Sequence, residues 1–385
     1  MLTMHPTLLI GPAEWQAETL PKELFLGRIA ALWRGVDTTT MGAIVYGDAR
    51  HHAELAYLTH FTPKLEPALA LIPRAGAPQL LVGGGVNMLA AARPLTWIAD
   101  LLPLRQPGKT IAEWVRTSTA GGAGGRPVLI GAPAMPWALH REIADALGAD
   151  VADATPVLQS LMRRKQPSEL AAIRRSCATL DAVMATIGEA QRDGASAASA
   201  VLAGELTAIR RGAQDVRSLV SIDGGRTLAP LDGARAQEVT ADPLQFYVAV
   251  RDGGYWSEGF ATLGRPHPAV DKACAALRSV LAQLQPGATG RAIADAIAAT
   301  IAPYEWHPIT AHSFVHAVGL DLAESPEFAA DNDAVLAPGN VYSLRVGLSD
   351  GGAQCAIASA MVAVADTGCE ILWSACADEG LGEDR

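Results

Sequence analysis

The sequence predicts a two-domain chain that opens with an α/β domain, and three observations carry this. At 385 residues the chain exceeds the size at which a single hydrophobic core stops growing. Strand-like runs alternate with helical runs over about the first 150 residues. A charged stretch from Arg163 to Glu169, interrupted by Pro167, then separates this part from one that holds longer helices and a β-rich end. The expected division is residues 1–160 and 161–385.

The elements follow in order. Residues 23–34 space Leu24, Ile29, Leu32 and Trp33 as a short amphipathic helix does. Met41 to Tyr46 reads as a buried strand, and Leu55 to Thr59 as the start of a second. Ala68 to Pro73 and Gln79 to Val82 form a hairpin around Arg74. Gly121 to Gly125 is a loop before a strand at Val128 to Ile130. It lacks the G-x-G-x-x-G order and opens no helix, which excludes a dinucleotide site.

Past the boundary, Ser168 is placed to cap a long helix with Leu170, Ile173, Cys177 and Leu180 on one face. A second helix spans about 196–210 after Gly194. Leu219 to Ile222 and Leu244 to Val250 are extended. Helices at about 268–284 and 290–302 are parted by Gln285, Pro286 and Gly287, and Ile293, Ile297 and Ile301 make a helical stripe. From His312 to Leu372 the chain is β-rich and punctuated by glycine. No short repeat appears.

Composition narrows the function. Half the residues are hydrophobic and 18% are charged, as in globular proteins. A net charge of −10 argues against a nucleic-acid partner. No apolar run approaches the ~18 residues of a membrane span, and no secretory leader is expected from the first residues. The five cysteines show no C-x-x-C pair. Free buried thiols, and therefore a cytoplasmic location, are the expectation.

Five motifs in order resemble the creatinase, aminopeptidase P and prolidase family, the pita-bread fold. Tyr57 to Phe61 is similar to a Y-L-T-G-F strand end. Lys165 and Glu169 are similar to an R-x-x-K-x-x-x-E helix opening, with Met162 at the arginine place. Gly254 to Glu258 resembles G-Y-x-S-D. His312 to Leu320, followed by Glu324 and Pro326, resembles H-x-x-G-H-G-x-G-L with H-E-x-P. Leu336 to Val341 resembles L-x-P-G-M-V. The resemblance implies an α/β N-terminal domain, a pita-bread α+β domain over 161–385, and a homodimer.

The same resemblance implies two metal ions held by two aspartates, a histidine and two glutamates. Those positions fall here on Tyr247, Glu258, His316, Arg345 and, within about one residue, Ser359. An upstream histidine falls near Leu231, and the histidine of H-E-x-P is Ala323. Two adjacent divalent ions need about four carboxylates to neutralise them. One carboxylate, one imidazole and a permanent cation do not supply that, so no metal and no other cofactor is expected.

Creatinase, a relative that lacks the metals and hydrolyses a C–N bond, is the precedent. It implies a metal-independent enzyme acting on a C–N bond of a small polar carboxylate or amidino substrate, by hydrolysis or by rearrangement. Arg345 is expected to anchor an anion, Glu258 to act as base and His316 as acid. His312, four residues before His316 on an extended segment, shares its face. Tyr247 and Tyr255 are candidate hydroxyl donors, and Glu324 is a candidate substrate contact. By resemblance alone, Phe61 or Lys64 reaches substrate across a dimer. The pair His51 and His52 reads as a surface feature. The alternatives are an inactive peptidase homologue that binds a peptide or protein, and a metal-dependent Xaa-Pro peptidase with an unusual site.

Overall fold

A computed structural model describes residues 14–119, 125–148, 151–221, 223, 225–231, 242–264, 267–311, 313–328, 334–351 and 355–376. The chain divides into two units, 1–162 and 163–385.

The first unit is built on a five-stranded mixed sheet in the order β4-β3-β2-β1-β5. The strands are β1 (Gly42–Gly47), β2 (Ala68–Pro73), β3 (Gln79–Val82), β4 (Asp100–Pro103) and β5 (Pro127–Ile130). β1, β2 and β3 run antiparallel, as the hairpin reading requires, while β5 joins β1 and β4 joins β3 in parallel. Ile44, Leu69, Leu71 and Leu129 from the sheet pack with Ile111 of α3 (Pro107–Thr119) and Ile143 of α4 (Trp137–Leu147). The first helix, α1 (Lys22–Gly35), buries Phe25, Ile29 and Leu32.

The expected second strand is instead the helix α2 (Ala53–Thr59). Six of its seven residues are buried, so the run has no period to read, and length alone does not separate strand from helix. Local bonds decide it. Thr59 Oγ1 donates to the Leu55 carbonyl at 2.7 Å, and His60, at φ 64°, closes the helix by donating its N–H to the Ala56 carbonyl. His52, expected at the surface beside His51, is buried. The reading of Gly121 to Gly124 lies outside the described residues.

The second unit has two sheets. One runs β11-β10-β12-β13-β14 with a short β9 on β12, and the other runs β6-β7-β8. Their strands are β6 (Asp215–Val220), β7 (Leu244–Asp252), β8 (Tyr255–Leu263), β9 (Glu305–Trp306), β10 (Val315–Ala317), β11 (Glu324–Phe328), β12 (Val341–Ser349), β13 (Cys355–Val364) and β14 (Cys369–Ser374). Ile222, expected within β6, lies outside the described residues. Side chains of β8 and β13 stitch the sheets together: Phe260 N–H donates to Ser359 Oγ at 2.7 Å, and Thr262 Oγ1 donates to the Ile357 carbonyl at 3.0 Å.

Four helices cover these sheets, numbered on from α5 (Thr155–Arg163): α6 (Pro167–Arg192), α7 (Ala197–Arg210), α8 (Pro268–Leu281) and α9 (Gly290–Ile301). Pro167 is the first helical residue of α6, so the cap is Gln166 and not Ser168. Its N–H donates to the Glu169 carboxylate at 3.0 Å, which satisfies one end of a capping box. The expected stripe of Ile293, Ile297 and Ile301 is buried against Leu344, Val346 and Ala358. Each isoleucine contributes about 1.5–3 kcal/mol by burial.

The cysteines are not all free. Cys274 on α8 and Cys376 after β14 form a disulfide, with Cα atoms 5.5 Å apart. They stand 102 residues apart in sequence, a spacing that carries no recognisable signature. The inference of a reducing compartment loses the support it drew from unpaired thiols. Cys177, Cys355 and Cys369 remain free. Among the described residues no helix is long and apolar enough to cross a membrane.

Candidate active site

A hairpin positions the first two site residues. β7 turns into β8 through Gly253 and Gly254, at φ 60° and 85°, values that glycine adopts without strain. This turn pairs Tyr247 with Phe260 and Ala249 with Glu258. Residues two apart on a strand share a face, so Tyr247 and Glu258 meet diagonally. The Tyr247 hydroxyl donates to Glu258 Oε2 at 2.6 Å.

The other sheet brings in the remaining pair. On β12, Leu344 and Val346 face the α8–α9 core, so Ser343 and Arg345 point the opposite way. His316 on β10 lies opposite Ser343, and Ser359 on β13 lies opposite Arg345. His316 Nε2 is 3.2 Å from Glu258 Oε1, and Arg345 Nη2 is 4.0 Å from the same oxygen. Arg345 Nη2 also contacts His316 Nδ1, and its guanidinium lies 5.3 Å from the centre of the Phe260 ring.

Proton positions follow from donor chemistry. A guanidinium only donates, so Nδ1 accepts and the His316 proton sits on Nε2. That N–H donates to the Leu322 carbonyl at 3.2 Å. Burial alone would raise the Glu258 carboxyl, but His316, Arg345 and the Tyr247 hydroxyl outweigh it and hold the group at about 2. The Tyr247 phenol is pushed well above its ordinary range, by burial and then by the adjacent carboxylate charge. It is a donor at any ordinary pH.

Three buried polar atoms on these facing strands make no hydrogen bond among the described residues: Glu258 Oε1, Arg345 Nε and Ser343 Oγ. A buried polar atom without a partner costs about 1–3 kcal/mol. Each of the three retains hydrogen-bonding capacity that the described residues do not use.

These residues do not fit two metal ions. Ser359, within about one residue of where the resemblance puts a family glutamate, spends its hydroxyl on both backbone groups of Phe260, at 2.7 and 3.3 Å. Arg345 stands at the other. Two divalent ions about 3.5 Å apart repel by about 20 kcal/mol at an effective dielectric near 20. A guanidinium about 4 Å from either ion adds about 8 kcal/mol more. Glu258 is one carboxylate against that. Among the described residues no three His, Cys, Asp or Glu side chains gather as a metal site needs.

The structure thus brings Tyr247, Glu258, His316 and Arg345 together. It engages other expected residues elsewhere. Tyr255 is buried and donates to Glu169 at 3.0 Å. Glu324 pairs with Lys165 at 2.5 Å. Phe61 is buried within the first unit, and Lys64 is exposed there. His312 lies outside the described residues. His307 is buried, with its ring bonded to the Gly225 carbonyl at 2.6 Å and to the Ile309 N–H at 3.1 Å. Ser343 was missed by sequence reasoning, although its place two residues before Arg345 puts it on the same strand face.

Residues 171–367 match the model of metallopeptidase family M24. The chain is 26% identical over 295 residues to the "Probable dipeptidase PepE" of Mycobacterium tuberculosis, covering 72% of this chain and 76% of that protein. It is 29% identical over 261 residues to an agropine synthesis cyclase of Rhizobium rhizogenes, covering 60% of this chain and 64% of that protein. Among solved structures, the Xaa-Pro dipeptidase of Bacillus anthracis superposes with a TM-score of 0.71 at 17% identity, covering 93% of this chain and 99% of the other. That likeness shows the fold: an α/β N-terminal domain followed by a pita-bread α+β domain.

Proposed function

The chain belongs to metallopeptidase family M24, and from that premise we propose a metal-independent enzyme that acts on a C–N bond of a small polar carboxylate or amidino substrate. The observation that carries the proposal is Arg345. It sets a permanent cation against His316 and within 4.0 Å of Glu258, where the family's metals would need an anion.

The chemistry proceeds from these side chains. The substrate carboxylate docks on the Arg345 guanidinium. Its negative charge offsets the cation that depresses Glu258, so the carboxyl gains basicity only when substrate is present. In hydrolysis, water adds its oxygen to the carbon and gives a proton to Glu258, which then passes it to the departing nitrogen as the C–N bond breaks; His316, whose Nδ1 accepts from Arg345, keeps its single Nε2 proton and orients the site. In a rearrangement, a nucleophile of the substrate replaces water and the same two proton transfers apply. The similarity to a cyclase supports keeping this second course. Tyr247 stays protonated and holds Glu258 by its 2.6 Å hydrogen bond.

The family's description as metallopeptidases and the dipeptidase names of relatives favour a second reading, a metal-dependent peptidase. Elemental analysis after incubation with Mn, Co and Zn separates the two. Less than about 0.1 equivalents bound supports the proposal, and close to two equivalents, with release of amino acids from dipeptides, overturns it.

A further inference from the structure

A second buried ion pair lies one turn of chain from His316. Lys165 Nζ is 2.5 Å from Glu324 Oε2, and the two side chains are 2% and 8% exposed. Both ends are anchored. The Lys165 N–H donates to the Gly339 carbonyl at 2.7 Å, just before β12. Glu324 Oε1 accepts the Leu320 N–H at 2.9 Å. Between them the chain folds tightly: Gly319 N–H donates to the Asp321 carbonyl at 3.0 Å, and Trp256 N–H on β8 donates to the Gly319 carbonyl at 2.8 Å. A Cβ on Gly319 would lie 2.3 Å from Glu324 Oε1 and 2.5 Å from Lys165 Nζ, so the turn is pressed onto the ion pair.

This turn carries Leu322, whose carbonyl accepts the His316 Nε2 proton. Glu258 Oε1 is also 3.2 Å from that nitrogen, close enough to feel it, but has no aligned hydrogen bond among the described residues. Two acceptors compete for one proton. In free competition the charged carboxylate wins over a neutral carbonyl.

We propose that Lys165 and Glu324 are a positioning pair: by holding the turn at 319–322 they keep the Leu322 carbonyl on His316 Nε2 and leave Glu258 Oε1 for a ligand. The functional part of this statement rests on the reading of Glu258 as the acid–base carboxylate. Stability alone gives little reason for the pair, since apolar residues of similar volume commonly replace buried ion pairs at little cost.

The test is the proton resonance of His316 Nε2–H in 15N-labelled protein at neutral pH. The double variant Lys165→Met with Glu324→Leu removes both charges and leaves no orphan. The proton is then expected to turn to Glu258 and its resonance to move downfield, as in a charge-assisted hydrogen bond. Adding Glu258→Gln to that background is expected to cancel the shift. An unmoved resonance in the folded double variant overturns the proposal. Gly319→Ala keeps both charges but pushes the turn off the pair. It is expected to shift the resonance the same way, and it decides the question if the double variant does not fold. No substrate enters these measurements. A shifted resonance in a protein that binds no carboxylate would keep the positioning pair and discard the reading of the site.

Discussion

Arg345 donates to His316 Nδ1, and this contact fixes which imidazole nitrogen carries the proton. The same guanidinium keeps its Nε without a partner among the described residues, beside the Phe260 ring. It thus sets the histidine with one nitrogen, and under the proposed function another is left for an anion.

Arg345→Met is therefore expected to act in two ways. Affinity for a simple carboxylate such as propionate falls at least about tenfold, the loss of one charge-assisted hydrogen bond. Stability falls by about 1–3 kcal/mol, because Glu258 stays buried with one cation fewer. Calorimetric titration and urea melts check both. Equal propionate affinity in a folded variant removes Arg345 as the anchor.

The second prediction concerns acid stability. The Glu258 carboxyl is held at about 2 against an ordinary 4.5. A depressed folded value means that the stabilisation is fully present above about pH 4.5 and is lost as the pH falls toward 2. The size is on the order of 3 kcal/mol. Urea melts from pH 7 to 2.5 are expected to show a steeper loss for the wild type than for Glu258→Gln, with the difference confined to that window. Parallel curves would mean that the carboxyl titrates normally.

Much of this arrangement was legible in the sequence, for physical reasons. Ile293, Ile297 and Ile301 are a surface helix stripe, and the period of a helix is visible wherever one face is wet. Glu258, His316 and Arg345 were singled out because they fall on the ligand positions of the family that the motifs resemble. Two kinds of feature were not legible. The run from Ala53 to Thr59 is buried at every position but Glu54, so no period distinguishes helix from strand. The Cys274–Cys376 bridge and the Lys165–Glu324 pair join residues 102 and 159 positions apart, and only the tertiary fold brings them together. Glu324 was expected at substrate because a loop glutamate after a histidine motif gives no sign of a buried lysine waiting for it.

The disulfide gives the third prediction. Cys274–Cys376 closes a loop of 102 residues, which constrains the unfolded chain by up to about 4–5 kcal/mol in the chain-entropy account, with about 2–4 typical of measured bridges. Thiol titration in denaturant is expected to count three reactive groups before reduction and five after it, given the free Cys177, Cys355 and Cys369. Cys376→Ser is expected to lower stability by about 2–4 kcal/mol under non-reducing conditions. Five thiols without reduction would show the bridge unformed.

The last prediction separates a serine that serves the fold from one that faces a ligand. Ser343 and Ser359 are both fully buried, and both point into the space between the sheets. Ser359 bonds both backbone groups of Phe260, so Ser359→Ala strands an N–H and costs about 1–3 kcal/mol. Ser343 Oγ bonds nothing among the described residues. Removing an unsatisfied hydroxyl relieves a desolvation cost, so Ser343→Ala is expected to leave stability unchanged or to raise it by up to about 1 kcal/mol. Its effect should fall on binding instead, with a several-fold weaker affinity for a hydroxycarboxylate such as lactate and little change for propionate, which has no second polar group to offer. A loss of stability as large as that of Ser359→Ala, with lactate affinity intact, would assign Ser343 to the scaffold and remove it from the site.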